Sequence, residues 1–308
     1  MIAENKFSKI VALWKEDKKQ YVKRSTFAAY TLLIENHILP SFGEMALVEE
    51  QDVQTFVFRK LNEGLSHKTI KDILIVLKMI LRFGAKNQMT EYRQIDIKFP
   101  TERDKHSIDI LNRSHQKQIM EYIRLHFTFK NLGIYICLSA GMRIGEICAL
   151  TWDDLDVENG IIHVRKTIQR IYVIEEHRKY TEVILDTPKT KNSIREIPMT
   201  KNLLKMIRPI KKIVNGNFYV LTNEPKPTEP RTYRNYYKQF MQSLGLPLIK
   251  FHGLRHSFAT RCIESKCDYK TVSVLLGHSN ISTTLNLYVH PNLEQKKRCM
   301  EQMSRLLR

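Results

Sequence analysis

Between Ser66 and Lys86 the apolar positions Ile70, Ile73, Leu74, Leu77, Ile80 and Leu81 recur at the three-and-four spacing of one buried helix face. Less regular versions of that pattern begin at Phe7, and together they predict four short helices up to Lys86. Pro40 and Gly43 divide one helical stretch from the next, while Gly64 and Ser66 separate the third from the fourth and Ser66 supplies an N-cap. The chain turns polar and irregular between Glu91 and Asp109, with Pro100 and the charged run Thr101 to Lys105, so a linker is expected over 96–107. Helices resume at Asn112. After Trp152 the texture becomes β-branched or alternating over Ile161 to Ile174, Tyr180 to Asp186 and Ile194 to Met199, which predicts a small antiparallel sheet. The first two of these segments make an unusually long hairpin around Arg165 to Arg178, with no functional account from sequence. Helical patterns return from Lys201, interrupted by Pro225, Pro227 and Pro230, which read as a surface loop. At the C-terminus Pro291 is placed to start a helix that aligns Leu293, Met300, Met303 and Leu307 on one face. The expected architecture is mainly α: a helical domain over 1–95, a linker over 96–107, and a mixed, mainly α domain with a small antiparallel sheet over 108–308.

Charge narrows the partner. Fifty Lys and Arg stand against 32 Asp and Glu, a formal net charge of +18, which attracts polyanions and makes nucleic acid the leading partner. Residues 1–95 hold 15 basic and 11 acidic side chains and the remainder 35 and 21, so the excess lies mostly in the second domain. The five cysteines, Cys137, Cys148, Cys262, Cys267 and Cys299, are odd in number and form no C-x-x-C, which fits free thiols in a reducing cytosol. The first residues hold no long apolar run, and no later stretch reaches 18 uncharged apolar residues, so neither secretion nor membrane insertion is expected.

Three clusters in the second domain carry chemistry. Arg143 stands in Ala140-Gly141-Met142-Arg143-Ile144-Gly145-Glu146, where two glycines permit a tight turn opening a helix; this seeks phosphate, or else Arg143 is a surface residue paired with Glu146. His252-Gly253-Leu254-Arg255-His256 sets His252 and Arg255 one helical turn apart on one face. Leu275-Leu276-Gly277-His278-Ser279 reads as a helix C-terminus closed by Gly277, and Tyr288 follows ten residues after His278. Taken alone, Tyr288 is an ordinary core residue, so its reading depends on its company.

In that order, Arg, then His-x-x-Arg, then Gly-His, then Tyr, the chain resembles the tyrosine recombinases, the phage-integrase family of site-specific DNA recombinases. The resemblance is specific over the C-terminal domain and looser over the N-terminal one, which resembles the family's core-binding domain. It implies that Arg143 is the first catalytic arginine, supported by Glu146, that His252 and Arg255 are the His-x-x-Arg pair, that His278 is the later histidine, and that Tyr288 is the nucleophile. The family's β-hairpin lysine falls on Lys189 in Thr187-Pro188-Lys189-Thr190-Lys191-Asn192, with Lys191 the second candidate. No catalytic position departs from the pattern. The chain opens directly on the core-binding pattern at Phe7, so the arm-binding domain that the family's longer integrases carry is expected either to be lacking or to have been trimmed away.

The residue chemistry agrees. Attack on a phosphodiester builds charge on the nonbridging oxygens, which Arg143 and Arg255 can share, and a tyrosine of pKa near 10 needs a proton acceptor, for which His252 is expected. His278 would hydrogen-bond the phosphate, Lys189 would protonate the leaving 5′ hydroxyl, and neither metal nor nucleotide cofactor is implied. The expected partners are double-stranded DNA with inverted half-sites, three further copies of the chain in a tetramer, and an excisionase or host accessory factor, all in the cytoplasm. The expected task is recombination for a mobile element or Xer-like resolution of chromosome dimers. Competing readings are type IB topoisomerase-like relaxation, DNA binding without catalysis, and a zinc site on His252, His256, His278, Cys262 and Cys267. Arg255 between the first two histidines opposes zinc, and His256 is expected to be a helix-packing or backbone-bonding residue.

Overall fold

The computed structural model describes residues 6–91, 94–101, 109–175, 178–188, 191–288 and 293–306. Two units emerge, one of residues 1–106 with Arg170–Glu182, the other of Ser107–Gln169 with Val183–Arg308.

In the first unit, α1 (Phe7–Lys19), α2 (Arg24–Leu33), α3 (Leu39–Phe42), α4 (Glu50–Asn62) and α5 (His67–Lys86) enclose one core. The α5 stripe is buried as its spacing predicts, and Phe7, Ile10, Val11 and Trp14 of α1 join the same core. The Ser66 side chain caps α5 by accepting from the Thr69 amide. Pro40 does not break the chain as expected. Proline has no N–H and its ring crowds the carbonyl four residues earlier, here Asn36; the chain widens into a π turn at Ile34–Ile38 and stays helical from α2 into α3.

The second unit is built around α7 (Phe129–Ala140), which is buried on nearly all sides and therefore apolar all round rather than striped. The unit's other helices are α6 (Arg113–Leu125), α8 (Ile144–Ala149), α9 (Lys201–Lys211), α10 (Pro230–Ser243), α11 (Phe251–Glu264), α12 (Tyr269–Leu276), α13 (Ile281–Tyr288) and α14 (Leu293–Leu306), of which α6, α8, α9 and α11 pack on α7. Pro230 is not loop but the first residue of α10, where its fixed φ suits the helix and its missing N–H costs nothing. Pro291, expected to start the tail helix, lies outside the described residues.

The β segments divide differently from their sequence pattern. The expected strand Ile161 to Ile174 parts at Arg165 and Lys166 into β2 (Ile161–Val164) and β3 (Thr167–Glu175). Strand β2 is central in an antiparallel sheet, between β1 (Leu155–Asp156) and β5 (Arg195–Pro198), while β3 pairs only with β4 (Arg178–Asp186). The distal part of that hairpin, Arg170–Glu182, groups with the first unit rather than with the 108–308 domain expected to contain it. In β5 the side chains alternate, so Arg195 and Ile197 face inward while Glu196 and Pro198 face out. A charged residue is thereby placed on the core face.

Candidate active site

Helix α7 ends at Gly141, whose φ of +64° is left-handed, and a Cβ there would lie 2.4 Å from the Phe258 ring. Only glycine makes this turn without strain. The turn delivers Arg143 to the N-cap of α8, where its backbone N–H donates to Glu146 Oε2 (2.8 Å) and its Nη1 donates to Oε1 (2.8 Å). The Arg143–Glu146 pair expected of a surface arginine is therefore present, but Glu146 is only 3% exposed.

A second cation shares that carboxylate. Arg195 donates from Nη1 to Glu146 Oε1 (3.0 Å) and from Nη2 to Oε2 (2.9 Å), a bidentate fork, and its own exposure is 8%. Burial pushes the Glu146 carboxyl up, but the Arg195 hydrogen bonds, the charges of Arg195 and Arg143 and the Arg143 amide together hold it below the usual range. Sequence reasoning missed Arg195. The available signal was the alternation Arg195, Ile197 in β5: with Ile197 inward, Arg195 must also be inward, and a buried guanidinium requires a buried anion.

Helix α12 supplies the other half of the site. A helix end leaves its last carbonyls without intrahelical donors. Here three consecutive carbonyls are each taken by a different arginine: Leu275 O accepts from Arg195 Nε (2.7 Å), Leu276 O from Arg255 Nη2 (2.6 Å) and Gly277 O from Arg143 Nη2 (3.0 Å). Arg255, 1% exposed on α11, also donates from Nη1 to Gly141 O (2.8 Å), so it joins the C-terminal ends of α7 and α12. Burial and Arg143 work against its charge and Glu146 works for it. Gly277, at φ +64°, closes α12 as the sequence predicts, and His278 follows with Nδ1 2.9 Å from the hydroxyl of buried Thr284. Burial, with Arg255 and Arg143, pushes His278 down to about 4.

A cleft of about 390 Å³ opens beside these groups, lined by Arg143, Glu146, Gln169, Thr187, Gly277 and His278. Lys189 lies outside the described residues, as does the Lys191 side chain; Thr187 and Pro188, just before Lys189, line the cleft. His252 is exposed on α11, yet partial desolvation of its ring, then His256, Arg255 and Arg143, pushes it down to about 4.

Tyr288 ends α13 and packs on Phe258, Ala259, Val272 and Leu276. Its hydroxyl is hydrogen-bonded to Nδ1 of His256, and the two rings stand 5.6 Å apart. Burial pushes the phenol up to about 12, against the pull of Arg255. Thus His256, expected to be a packing histidine, contacts the Tyr288 hydroxyl, while His252 stands edge-on to His256 with ring centroids 4.6 Å apart. Among the described residues no group of three or more His, Cys, Asp or Glu side chains is placed to hold a metal ion, and no helix is long and apolar enough to cross a membrane.

The family model described as "Phage integrase family" matches residues 109–295, and "Phage integrase, N-terminal SAM-like domain" matches residues 6–60. A "Tyrosine recombinase XerC-like" protein of Caldanaerobacter subterraneus subsp. tengcongensis is 31% identical, covering 92% of this chain and 78% of the relative. The ICEBs1 integrase of Bacillus subtilis is 24% identical over 89% of this chain and 76% of its own length. Among solved structures, the Tn1549 transposon integrase in complex with transposon right end DNA has the same fold, with a TM-score of 0.79 at 22% identity, covering 97% of this chain and 100% of that one. A lambda integrase tetramer bound to a Holliday junction gives 0.64 at 16% identity, covering 95% and 81%.

Proposed function

Because this chain belongs to the phage integrase family, we propose that it is a site-specific recombinase whose Tyr288 cuts and rejoins DNA strands through a 3′-phosphotyrosine. The observation that carries the residue assignment is the convergence of Arg143, Arg195 and Arg255 on the end of α12 beside an open cleft. Three guanidiniums face one carboxylate there, so the cluster has an uncompensated positive charge that a phosphodiester neutralises.

In the proposed reaction the Tyr288 oxygen attacks phosphorus, the bond from phosphorus to O5′ breaks, and O5′ takes a proton from Lys189. Arg143 and Arg255 donate to the nonbridging oxygens with N–H groups not engaged by carbonyls, and charge growing on those oxygens strengthens the bonds in the transition state. His278, whose Nδ1 side is held by Thr284, presents its other nitrogen to the phosphate, and His252 lies among the same charged groups. A second 5′ hydroxyl reverses the step, because the phosphotyrosine retains the energy of the original bond.

The proposed substrate is duplex DNA with inverted half-sites at the ends of a mobile element, bound by four copies of the chain with an accessory factor setting direction. Helix α14 supports the assembly reading, since Met300 and Met303 are exposed on it and offer an apolar face to a neighbouring copy.

The test is a nicked suicide duplex bearing the cleavage site that the protein selects from DNA flanking its own gene. The wild type is expected to be trapped covalently on a denaturing gel, and Tyr288→Phe to bind the duplex with nearly unchanged affinity but leave no adduct, since one hydroxyl adds little to many phosphate contacts. Trapping of the Phe protein would refute the assignment.

A further inference from the structure

We propose that His256 is the general base of the strand-cleavage step, taking the Tyr288 proton at Nδ1 and returning it when the strand is rejoined. The proposal rests on the recombinase reading above and deepens it at one proton.

The geometry carries the assignment. Among the described residues, His256 is the hydrogen-bond partner of the Tyr288 hydroxyl, approaching from α11 one helical turn beyond His252. A phenol is a better donor than acceptor, and a neutral imidazole accepts through its unprotonated nitrogen. The tyrosine therefore donates, Nδ1 accepts, and the imidazole proton sits on Nε2. His252, the acceptor expected from sequence, is held edge-on to His256 instead.

Electrostatics separate the two histidines in the same direction. His252 is depressed by burial and then by three neighbours, His256, Arg255 and Arg143. His256 is depressed by burial, with Arg255 the one charged group acting on it. Three helices pack on α11: α13 brings the Tyr288 hydroxyl, and among the described residues neither α7 nor α12 places a charged group that moves the His256 titration. His256 is thus neutral at pH 7, already in contact with the proton to be moved, and subject to fewer opposing charges.

Tyr288 at about 12 does not ionise unaided, so proton transfer must accompany bonding to phosphorus. As the oxygen lone pair forms the P–O bond, the O–H proton passes to Nδ1. The electron pair of the breaking bond goes to O5′, which is protonated by Lys189. Rejoining runs these transfers backwards, with His256-H⁺ restoring the phenol. Charge and protons balance without any further reactant.

The test uses the full chain and the suicide duplex in two forms, one with the ordinary 5′-bridging oxygen and one with sulfur there. A thiolate leaves without a proton, so the sulfur substrate relieves loss of a general acid but not of a base. Asparagine can place its Oδ1 near the position of Nδ1, keeping an acceptor that is not a base. His256→Asn is expected to slow single-turnover cleavage by about 10²- to 10⁴-fold on both substrates, with DNA affinity and Trp152 fluorescence unchanged. Lys189→Ala should be rescued by sulfur. The wild-type rate should fall on the acid side as His256 protonates below its ordinary 6.5, and that limb should vanish in the Asn protein. Cleavage by His256→Asn within about fivefold of wild type, or its rescue by sulfur, overturns the proposal. So does an Nδ1–H tautomer for His256 in ¹⁵N NMR of the unsubstituted protein, a measurement that needs no variant to fold. A wild type that forms no adduct refutes the recombinase reading itself, a separate outcome.

Discussion

Replacing Arg195 by Met tests whether the buried ion cluster holds the site together. The substitution keeps the volume of the side-chain stem but removes both bonds to Glu146 and the donors to Leu275 O and Ser193 O. Glu146 is then buried with Arg143 as its remaining cation, and breaking a buried pair from one side costs about 3–5 kcal/mol. The chain has two tryptophans: Trp14 is buried in the first unit and Trp152 in the second. In a Trp14→Phe background, urea unfolding followed by Trp152 fluorescence therefore reports the second unit. Arg195→Lys should recover part of the loss, since an ammonium keeps the charge but cannot span the carboxylate and two carbonyls at once. The sign with pH is fixed by Glu146, whose carboxyl sits below its ordinary 4.5 in the folded chain. Its contribution is complete above 4.5 and disappears as pH falls through the depressed folded value, so the gap between wild type and Arg195→Met should narrow in acid. A double-mutant cycle with Glu146→Gln should return a coupling of about 2 kcal/mol or more. A single-mutant cost below about 1 kcal/mol at pH 7, or a gap that does not narrow in acid, would refute the reasoning.

Gly141→Ala places a side chain at φ +64° and 2.4 Å from the Phe258 ring, so a loss above about 2 kcal/mol is expected from the left-handed conformation and the overlap together; the same Trp152 assay measures it, and a loss under about 0.5 kcal/mol contradicts the account of this turn. Cleavage of the suicide duplex should proceed in EDTA, because Arg143, Arg195 and Arg255 bring the positive charge that the phosphate needs. Arrest by the chelator, reversed by one added metal ion, would assign that role to a cation.

What the sequence made legible follows from which forces leave a local trace. The α5 stripe could be read because one apolar face repeats every turn, and Gly141 and Gly277 because a left-handed helix end strongly favours glycine. The order of Arg143, His252, Arg255, His278 and Tyr288 was visible because their spacing resembles a known family. Arg195 was not, since its inward side follows only once β5 is known to be a strand with Ile197 on the core face, and its partner Glu146 lies 49 residues away in sequence. His256 was read as packing because its neighbour in space, Tyr288, lies 32 residues away in sequence. The strand expected over Ile161 to Ile174 was drawn too long because β-branched residues continue across the point where the chain leaves one sheet for another.

The arrangement of α12 joins the proposed phosphate site to the position of Tyr288. Its last two carbonyls and that of Gly277 hold Arg195, Arg255 and Arg143, and the chain from Gly277 leads through His278 directly into α13, which ends at Tyr288. The negative end of a helix dipole is a fixed partial charge of about half an electron, too little to neutralise three guanidiniums even with Glu146. A phosphate in the cleft would supply the missing anion, and the arginine hydrogens that it engages belong to groups already anchored through their other N–H bonds. Little reorganisation is then needed when charge builds on the nonbridging oxygens, which is the condition under which electrostatic stabilisation is most effective. The same anchoring means that a disturbance at Arg195, which lies behind the carboxylate, reaches Arg143 through Glu146 and the α12–α13 turn through Leu275. On the proposed reaction Arg195 would therefore position both the phosphate-binding arginines and Tyr288, and its loss should lower the cleavage rate even where the folded population remains high.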